Sequence, residues 1–239
     1  MTFDITIPVL NEEKTLAQQV KILHSFLSLH FPDSNQWKIV IADNGSTDNT
    51  LQIATELTAQ LSDIQVVKVP RKGVGLALKT SWTQSKADIV GYMDLDLATD
   101  LPHFLEAFKA LSEGFDVVYA TRLHPKSEVI GRSAKREFTS RVFNFILKKY
   151  LNVNFTDGMC GFKFLKRDNL KSIMDGGAQN DGWFFSTELL TISEWKGLKL
   201  YELPVKWTDD PDSKVNISAL TKQYLKAMKE LKSKSQKSV

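Results

Sequence analysis

The stretch that decides the fold is Ile89-Val90-Gly91-Tyr92-Met93-Asp94-Leu95-Asp96. Its first five residues predict a buried strand, and two aspartates one residue apart follow directly. Residues i and i+2 of an extended chain point to the same side, so both carboxylates would face one site. Unpaired, they would repel each other and resist burial, and Mg²⁺ or Mn²⁺ would remove both costs. The alternative is a solvated loop with two aspartates.

Apolar strands alternate with helical patterns through the first half of the sequence. Strands are predicted at residues 3–8, 38–42, 64–69, 89–93 and 117–120. Helices are predicted at residues 13–30, 76–84 and 103–111, and residues 44–48 are predicted to form a turn and cap that open a further helix to about residue 60. This alternation is typical of βαβ units, and it predicts an α/β fold with a mostly parallel central sheet flanked by helices.

The second half is less regular. Helices are predicted at residues 135–150, 185–195 and 217–231, with extended segments at 161–165 and 198–207. No internal repeat and no linker rich in Gly, Pro or Ser interrupts it. We therefore expect one domain over residues 1–231 and a basic, disordered tail over residues 232–239.

Polar residues follow four of the predicted strands, where open α/β sheets bind their ligands. The segment from Pro8 to Glu12 follows the first strand, Asp43 ends the second, Lys72-Gly73 follows the third and Asp94 the fourth. Asp43 could accept a hydrogen bond from a ribose or a base, or it could cap the next helix. The sequence Lys72-Gly73-Val74-Gly75 resembles a phosphate-cradling turn, although this pattern alone is a weak signal and a lone lysine is more often a surface residue.

The composition is that of an ordinary globular protein, with 42% hydrophobic and 25% charged residues. The net charge is +3, but the segment after residue 220 carries six lysines against Glu230, which leaves about −2 for the rest. A basic face for nucleic acid is therefore not expected. A single cysteine, Cys160, and the lack of a signal peptide or membrane-spanning run predict a cytoplasmic location.

Taken in order, these pieces resemble the family-2 glycosyltransferases, whose fold is the Rossmann-like GT-A nucleotide-diphospho-sugar transferase fold. The resemblance is to the dolichyl-phosphate mannose synthase and dolichyl-phosphate glucosyltransferase branch, and it spans nearly the whole chain. The stretches that carry it are residues 7–13 (IPVLNEE), 42–48 (ADNGSTD), 72–73 (KG), 93–97 (MDLDL), 121–122 (TR), 157–163 (DGMCGFK), Trp207 and 213–215 (SKV).

The resemblance implies a role for each matching position. On the donor side, Pro8, Leu10, Glu12 and Asp43 would hold the nucleoside of a nucleotide-diphosphate sugar, with Lys72 and Gly73 beside them. Asp94 and Asp96 would hold the metal and the diphosphate. The remaining matches, which would line the acceptor side and meet phosphate, are Arg122, Arg136 and Lys214. Arg136 could instead be one more charge on a basic helix.

Three departures from the family pattern bear on activity. Ala98 stands where mannose synthases carry a glutamine ligand, Ser186 stands where the glucosyltransferases carry an aspartate, and the C-terminal membrane spans of many relatives are missing. Ala98, and Trp207 with Ser213-Lys214-Val215, favour UDP-glucose over GDP-mannose as the donor. Lost ligands also leave open a non-catalytic sugar-nucleotide-binding protein. A nucleotidyltransferase is disfavoured, because Asn11-Glu12-Glu13 replaces its Gly-rich signature.

The acceptor is inferred from a missing base. A hydroxyl acceptor needs a general base, for which Asp181 and Glu188 are the nearest candidates, whereas a phosphate monoester is already anionic. We therefore expect metal-assisted inverting transfer to polyprenyl phosphate, with a soluble hydroxyl acceptor as the alternative. The basic amphipathic helix at residues 217–231 could lie on the membrane surface, or it could dock its apolar face on the body of the protein.

Overall fold

The computed structural model describes residues 1–209 and 217–235. The strands of this part of the chain are β1 (Phe3–Val9), β2 (Trp37–Asp43), β3 (Ile64–Lys68), β4 (Ile89–Met93), β5 (Val117–Thr121), β6 (Glu128–Ile130), β7 (Phe162–Lys166), β8 (Leu200–Pro204) and β9 (Lys206–Thr208). The α-helices are α1 (Leu16–His30), α2 (Thr50–Gln60), α3 (Val74–Gln84), α4 (His103–Ser112), α5 (Ala134–Leu151), α6 (Leu170–Asp175), α7 (Phe185–Trp195) and α8 (Ile217–Ser235).

The central sheet has the strand order β3-β2-β1-β4-β7-β5-β8. Its strands pair in parallel, except that β7 is antiparallel to both of its neighbours, β4 and β5. The chain order of the strands reverses between β1 and β4. Loops leave the sheet in opposite directions at such a point and open a crevice at the carboxyl ends of the strands.

Each face of this sheet is covered by its own hydrophobic core. Phe3, Ile5 and Ile7 of β1 pack with α1 and α4 on one face. Val90 and Tyr92 of β4 pack on the other face, with α3, α5, α7 and α8. Side chains alternate between faces because successive residues of a strand point in opposite directions. The predicted α/β class, with helices on both faces of a mostly parallel sheet, is confirmed.

One predicted strand is wrong in its extent. The run at residues 198–207 divides into β8, which joins the central sheet, and β9, which pairs with the unpredicted β6 in a second sheet. Pro204 ends β8, and proline has no N–H with which to extend a ladder. An isolated bridge then joins Thr99 to Trp207. This second sheet carries Trp207 to the loop after β4.

The C-terminal helix also differs from the prediction. α8 continues to Ser235, so residues 232–235 are helical where a disordered tail was expected, and residues 236–239 lie outside the described residues. The single-domain organisation stays a prediction. Within the part of the chain that is described, none of the helices combines the length and the hydropathy needed to cross a membrane.

Candidate functional site

The two aspartates after β4 differ in their surroundings. Asp94 is partly buried, and its backbone N–H donates to the carbonyl of Gly161 at 3.2 Å. Burial and the charge of Asp96 raise the pKa of Asp94 to about 7, against the opposing charges of Lys163 and Arg122. Asp96 is exposed, and its Oδ1 accepts the N–H of Ala98 at 3.0 Å. A cation beside Asp94 would relieve the cost that its high pKa reports.

Gly161 lies directly against the carboxylate of Asp94. A Cβ atom at this position would stand 1.9 Å from Asp94 Oδ2, closer than any real contact. Any side chain here would force the Asp94 carboxylate to move, and Gly161 lies against it because β7 pairs antiparallel with β4. This explains physically why Gly161 belongs to the motif that the sequence analysis singled out.

The carboxylate pair can hold a divalent cation with few protein ligands. Among the residues described, no group of three or more His, Cys, Asp or Glu side chains is arranged to hold a metal. Mg²⁺ commonly binds through one or two carboxylates and takes its other ligands from phosphate oxygens and water. Asp94 and Asp96 fit such an ion when a diphosphate completes the ligand set.

The predicted nucleoside-binding residues Pro8, Leu10, Glu12 and Asp43 lie on neighbouring chain segments. Val9 of β1 pairs with Asp43 of β2, so the loops after these two strands leave the sheet side by side. Asp43 is buried and accepts the backbone N–H of Ser46 at 3.3 Å. Asp43 therefore shapes the loop after β2 but does not cap the next helix, since α2 begins at Thr50 after Asn49. A contact of Asp43 with a ribose or a base stays a prediction.

Hydrogen bonds join the two loops to each other. Asn11, in a left-handed conformation with φ 56°, accepts the backbone N–H of Thr47 through Oδ1 at 2.8 Å. The backbone N–H of Glu12 donates to Thr50 Oγ1 at 2.7 Å, and Glu12 Oε2 accepts the Thr15 hydroxyl at 2.8 Å. The loops are therefore pre-organised, and part of Glu12 is already used within the protein.

The turn after β3 is built differently from the phosphate cradle that its sequence suggested. The N–H of Gly73 donates to Asn44 Oδ1 at 2.6 Å. The N–H groups of Gly75 and Leu76 donate to backbone carbonyls of Gly182 and Asp181, at 3.2 and 3.1 Å. These amides are therefore taken up inside the protein and do not face a phosphate.

Lys72, in the same turn, has an exposed side chain. Gly73 is buried, and a Cβ atom there would stand 2.5 Å from the carbonyl oxygen of Asp181. The close approach of these two chain segments thus requires glycine. Lys72 is the part of the turn that remains available to a ligand.

Arg122 lies at the end of β5 in a buried ion pair. Its Nε and Nη2 donate to the two carboxylate oxygens of Asp157 at 2.8 and 3.0 Å. Its guanidinium also lies 5.1 Å from the ring centre of Trp207, and that of Arg132 lies 5.9 Å from the same ring. We call Arg122, Arg132 and Trp207 the arginine cluster. The charge of Arg122 acts on Asp94, which places this member of the cluster near the carboxylate pair.

The other two predicted acceptor residues are not part of this cluster. Arg136 lies in the first turn of α5, where its Nη1 is 2.6 Å from Asp209 Oδ2. It is linked to the cluster through Asp209, whose charge acts on Arg132. Lys214 lies outside the described residues.

Both candidate bases are engaged elsewhere. Asp181 forms ion pairs with Arg71 and with Lys79, the latter at 2.8 Å. Glu188 is buried and accepts the backbone N–H groups of Gln179 and Asn180 at 2.8 and 2.7 Å. Each carboxylate thus fixes the loop that packs on the start of α3.

Three polar residues of this region were not predicted individually from the sequence. Asp157 and Lys163 are both fully buried, and Lys163 Nζ donates to Cys160 O at 2.5 Å and to Ser186 Oγ at 2.8 Å. A lysine inside the apolar strand Phe162–Lys166 is a usable signal of a buried charge. Arg132 gave no such signal, because only the tertiary structure brings it onto Trp207.

The sequence matches the model of Glycosyl transferase family 2 over residues 4–174. It is 29% identical over 215 residues to the glycosyltransferase AglD of Haloferax volcanii, covering 89% of this chain and 34% of that protein. It is 25% identical over 234 residues to the dolichyl-phosphate β-glucosyltransferase ALG5C of Trichomonas vaginalis, covering 92% of this chain and 67% of the relative. The chain thus spans about a third of one relative and two thirds of the other.

Solved structures share the fold at low sequence identity. Glucosyl-3-phosphoglycerate synthase from Mycobacterium tuberculosis, solved with Mn²⁺, UDP and glucosyl-3-phosphoglycerate, matches with a TM-score of 0.68 and 22% identity. The match covers 98% of this chain and 80% of that one. S. aureus TarS matches with a TM-score of 0.58 and 18% identity, over 87% of this chain and 60% of that one. The predicted GT-A fold is confirmed by these neighbours.

Proposed function

The chain belongs to glycosyl transferase family 2, and we propose that it transfers glucose from UDP-glucose to a polyprenyl phosphate with the help of Mg²⁺ or Mn²⁺. The observation that carries this proposal is that a negatively charged site and a positively charged site lie near each other at one end of the sheet. Asp94 and Asp96 suit a metal-bound diphosphate, and the arginine cluster beside them suits a second phosphate.

The donor is taken to lie over the carboxyl ends of β1, β2 and β4. Asp43 and the loop from Pro8 to Glu12 would contact the nucleoside, and exposed Lys72 would approach the diphosphate. When bound, the metal supplies charge that favours departure of the diphosphate. UDP-glucose is favoured over GDP-mannose by Ala98 and by relatives named dolichyl-phosphate β-glucosyltransferases.

The acceptor is taken to be a phosphate monoester because both candidate bases are already paired with other groups of the protein. Asp181 is bound by Arg71 and Lys79, and Glu188 by two backbone amides. A phosphate oxygen needs positioning and not deprotonation, and a guanidinium binds it with fixed geometry. Arg132, which was not predicted from the sequence, joins Arg122 in this role. Arg122 is paired with Asp157 and Arg132 with Glu137, so each would meet the phosphate through other N–H groups of its five-donor guanidinium.

The reaction then follows as an inverting displacement. An oxygen of the acceptor phosphate attacks C1 of the glucose as the bond from C1 to the diphosphate oxygen breaks. The electron pair leaves with UDP, and glucosyl polyprenyl phosphate is formed. The chain's own residues would hold the attacking phosphate oxygen in line with the bond that breaks at C1, and they would hold the charge of the acceptor. Such positioning and electrostatic stabilisation can supply much of the rate enhancement of a displacement.

A polyprenyl acceptor implies work at a membrane surface. The apolar side of α8, which could have supplied the contact, packs on the body of the protein instead: Tyr224, Ala227, Met228 and Leu231 are buried. Its lysines Lys222, Lys226 and Lys229 remain exposed. α8 can thus add charge at a lipid surface, but only Leu225 of its described apolar side chains is exposed.

The test is a transfer assay with purified protein and polyprenyl phosphate in detergent micelles. UDP-glucose and GDP-mannose are compared with Mn²⁺ or with a chelator, and glycolipid is measured by mass spectrometry. We expect glycolipid from UDP-glucose with Mn²⁺ only. Tighter binding of GDP than UDP would refute the donor. Preferential transfer to a soluble hydroxyl acceptor would refute the acceptor, and nucleotide binding without turnover of any donor would indicate a non-catalytic protein.

A matched pair of variants tests the arginine cluster. Arg132→Gln should raise the KM for polyprenyl phosphate about tenfold or more, since charged hydrogen bonds to phosphate contribute about 1.5–3 kcal/mol. Arg167→Gln is the control, because Arg167 donates to the carbonyl of Ala87 at the opposite end of β4. Equal effects of the two substitutions would remove the cluster from the acceptor site.

A further inference from the structure

α5 is apolar on two opposite faces. Phe143, Leu147 and Leu151 are buried against the core, as expected for a surface helix. Turned away from them, Phe138 and Phe145 are 70% and 62% exposed. A helix that only covers a core has a polar outer face, so this second apolar face needs a different explanation.

The outer apolar residues form one continuous stripe. Positions three, four and seven residues apart share a helix face, which aligns Phe138, Val142 and Phe145, with Ile146 and Tyr150 along one edge. Val142, Ile146 and Tyr150 are 40%, 43% and 37% exposed. We call these five residues the α5 stripe. An aligned row of this kind differs from the scattered apolar residues that any surface carries.

Basic residues border the stripe. Lys135 and Lys149 lie among its residues along α5, and Lys149 Nζ is 6.0 Å from the ring centre of Phe145. The neighbouring α8 adds Lys232, whose Nζ lies 4.4 Å from the ring centre of Tyr150. The two helices are in contact, since the rings of Phe143 and Tyr224 lie 5.5 Å apart.

Acidic residues do little to offset this charge. Glu137 of α5 pairs with Arg132 and Arg141, and Glu230 of α8 pairs with Lys226 at 3.9 Å. Aromatic side chains among lysines fit the boundary region of an anionic bilayer, where rings enter the interface and ammonium groups remain at the headgroups.

The stripe also lies next to the arginine cluster along the chain. α5 begins after Ser133, whose hydroxyl accepts the N–H of Arg136, and Arg132 immediately precedes it. A bilayer that lies against α5 would therefore also lie near the N-terminal end of this helix, where the arginine cluster is found. Lipid-borne phosphates would then arrive beside Arg132 without leaving the surface.

We propose that the α5 stripe docks this protein on an anionic lipid bilayer, with Phe138 and Phe145 entering the interface. This inference rests on the proposed function, because docking on a bilayer explains how the protein would reach an acceptor that is carried on a lipid. A second copy of this chain fits the surface less well. An isologous contact places the same patch against itself, so the lysines that border the stripe would face one another.

The experiment measures sedimentation of the full-length protein with vesicles of equal parts phosphatidylcholine and phosphatidylglycerol, at low and raised salt. Phe138→Gln with Phe145→Gln should weaken binding by about tenfold or more, which corresponds to about 1.4 kcal/mol. The control is Leu29→Gln, because Leu29 is 76% exposed on α1, whose core lies on the opposite face of the sheet. Circular dichroism establishes that each variant is folded.

Vesicle binding that falls with the double variant, is unchanged by the control and weakens in salt supports the docking surface. Wild-type protein that ignores anionic vesicles overturns it, as does a double variant that binds like wild type. So does a wild-type dimer that the double variant dissociates, which would assign the stripe to a second copy. Transfer to polyprenyl phosphate in detergent micelles is measured separately. Vesicle binding without any such transfer would refute the proposed function and leave the docking surface standing.

Discussion

Replacing Asp157 with asparagine removes the charge that balances buried Arg122 and keeps the shape of the side chain. Asp157 accepts hydrogen bonds from Arg122 through Nε, Nη2 and the backbone N–H, and from the N–H of Met159 at 3.1 Å. Burial alone would raise the pKa of Asp157, but the charge and hydrogen bonds of Arg122 outweigh it and hold the pKa at about 2.

The size of the effect follows from this pKa. A carboxyl group lowered from its ordinary 3.8 to about 2 contributes about 2.4 kcal/mol to the free energy of unfolding at neutral pH. Breaking one side of a buried ion pair typically costs about 3–5 kcal/mol, because the partner is left unpaired. We therefore expect Asp157→Asn to lower the free energy of unfolding by about 3 kcal/mol at pH 7. Arg122→Met combined with Asp157→Leu should recover much of it.

The loss should also depend on pH in a defined direction. Because the pKa is depressed in the folded protein, the stabilisation is fully present above about pH 4 and is lost as the pH falls towards 2. Urea unfolding followed by tryptophan fluorescence at pH 7 and pH 3 measures it. Asp175→Asn, in the exposed Lys171–Asp175 pair, is the control and should leave the midpoint unchanged. A difference from wild type below about 1 kcal/mol at pH 7, or equal at both pH values, would refute the reasoning.

Three further predictions concern the carboxylate pair and its surroundings. Asp96→Asn should abolish transfer and the dependence on Mn²⁺ without changing the thermal midpoint. The control is Asp100→Asn in the same loop, which should remain active because the Asp100 carboxylate pairs with a lysine. Metal-dependent turnover of Asp96→Asn would contradict the metal assignment. Gly161→Ala should reduce donor hydrolysis at least about tenfold, since its Cβ would displace the Asp94 carboxylate, and unchanged kinetics would refute that contact. Burial is the main cause that lowers the pKa of Lys163 to about 8, so the folded protein loses this proton at a lower pH than the unfolded chain does. The free energy of unfolding of wild type, relative to Lys163→Met, should therefore rise between pH 8 and pH 10. A difference that is flat or falls over this range would argue against the lowered pKa.

Much of the fold could be predicted because its signals are local. The apolar run that became β4, and the polar residues that follow β1, β2 and β4, are visible within a few positions of the sequence. The antiparallel insertion of β7 between β4 and β5 was not predictable in this way. It depends on pairing of β7 with segments about 70 and about 45 residues earlier in the chain, and nothing within residues 161–165 specifies either neighbour.

The site divides along the same line. Asp94 and Asp96 could be singled out because their spacing on a strand implies a shared direction. The engagement of Gly73 by Asn44, the pairing of Arg122 with Asp157 and the position of Arg132 on Trp207 join segments between 29 and 75 residues apart. These contacts therefore became visible only in the tertiary structure.

By itself the sequence determined the fold class and the position of the carboxylate pair, because hydrophobic periodicity and strand-end polarity are properties of neighbouring residues. Only the tertiary structure decided which charged side chains are paired within the protein and which face outward. It assigned the apolar side of α8 to the core and left Phe138 and Phe145 of α5 exposed, although both helices carry apolar and basic residues in similar proportion. The physical reason is that burial depends on the neighbouring element that covers a residue, and a helical pattern alone does not specify that neighbour.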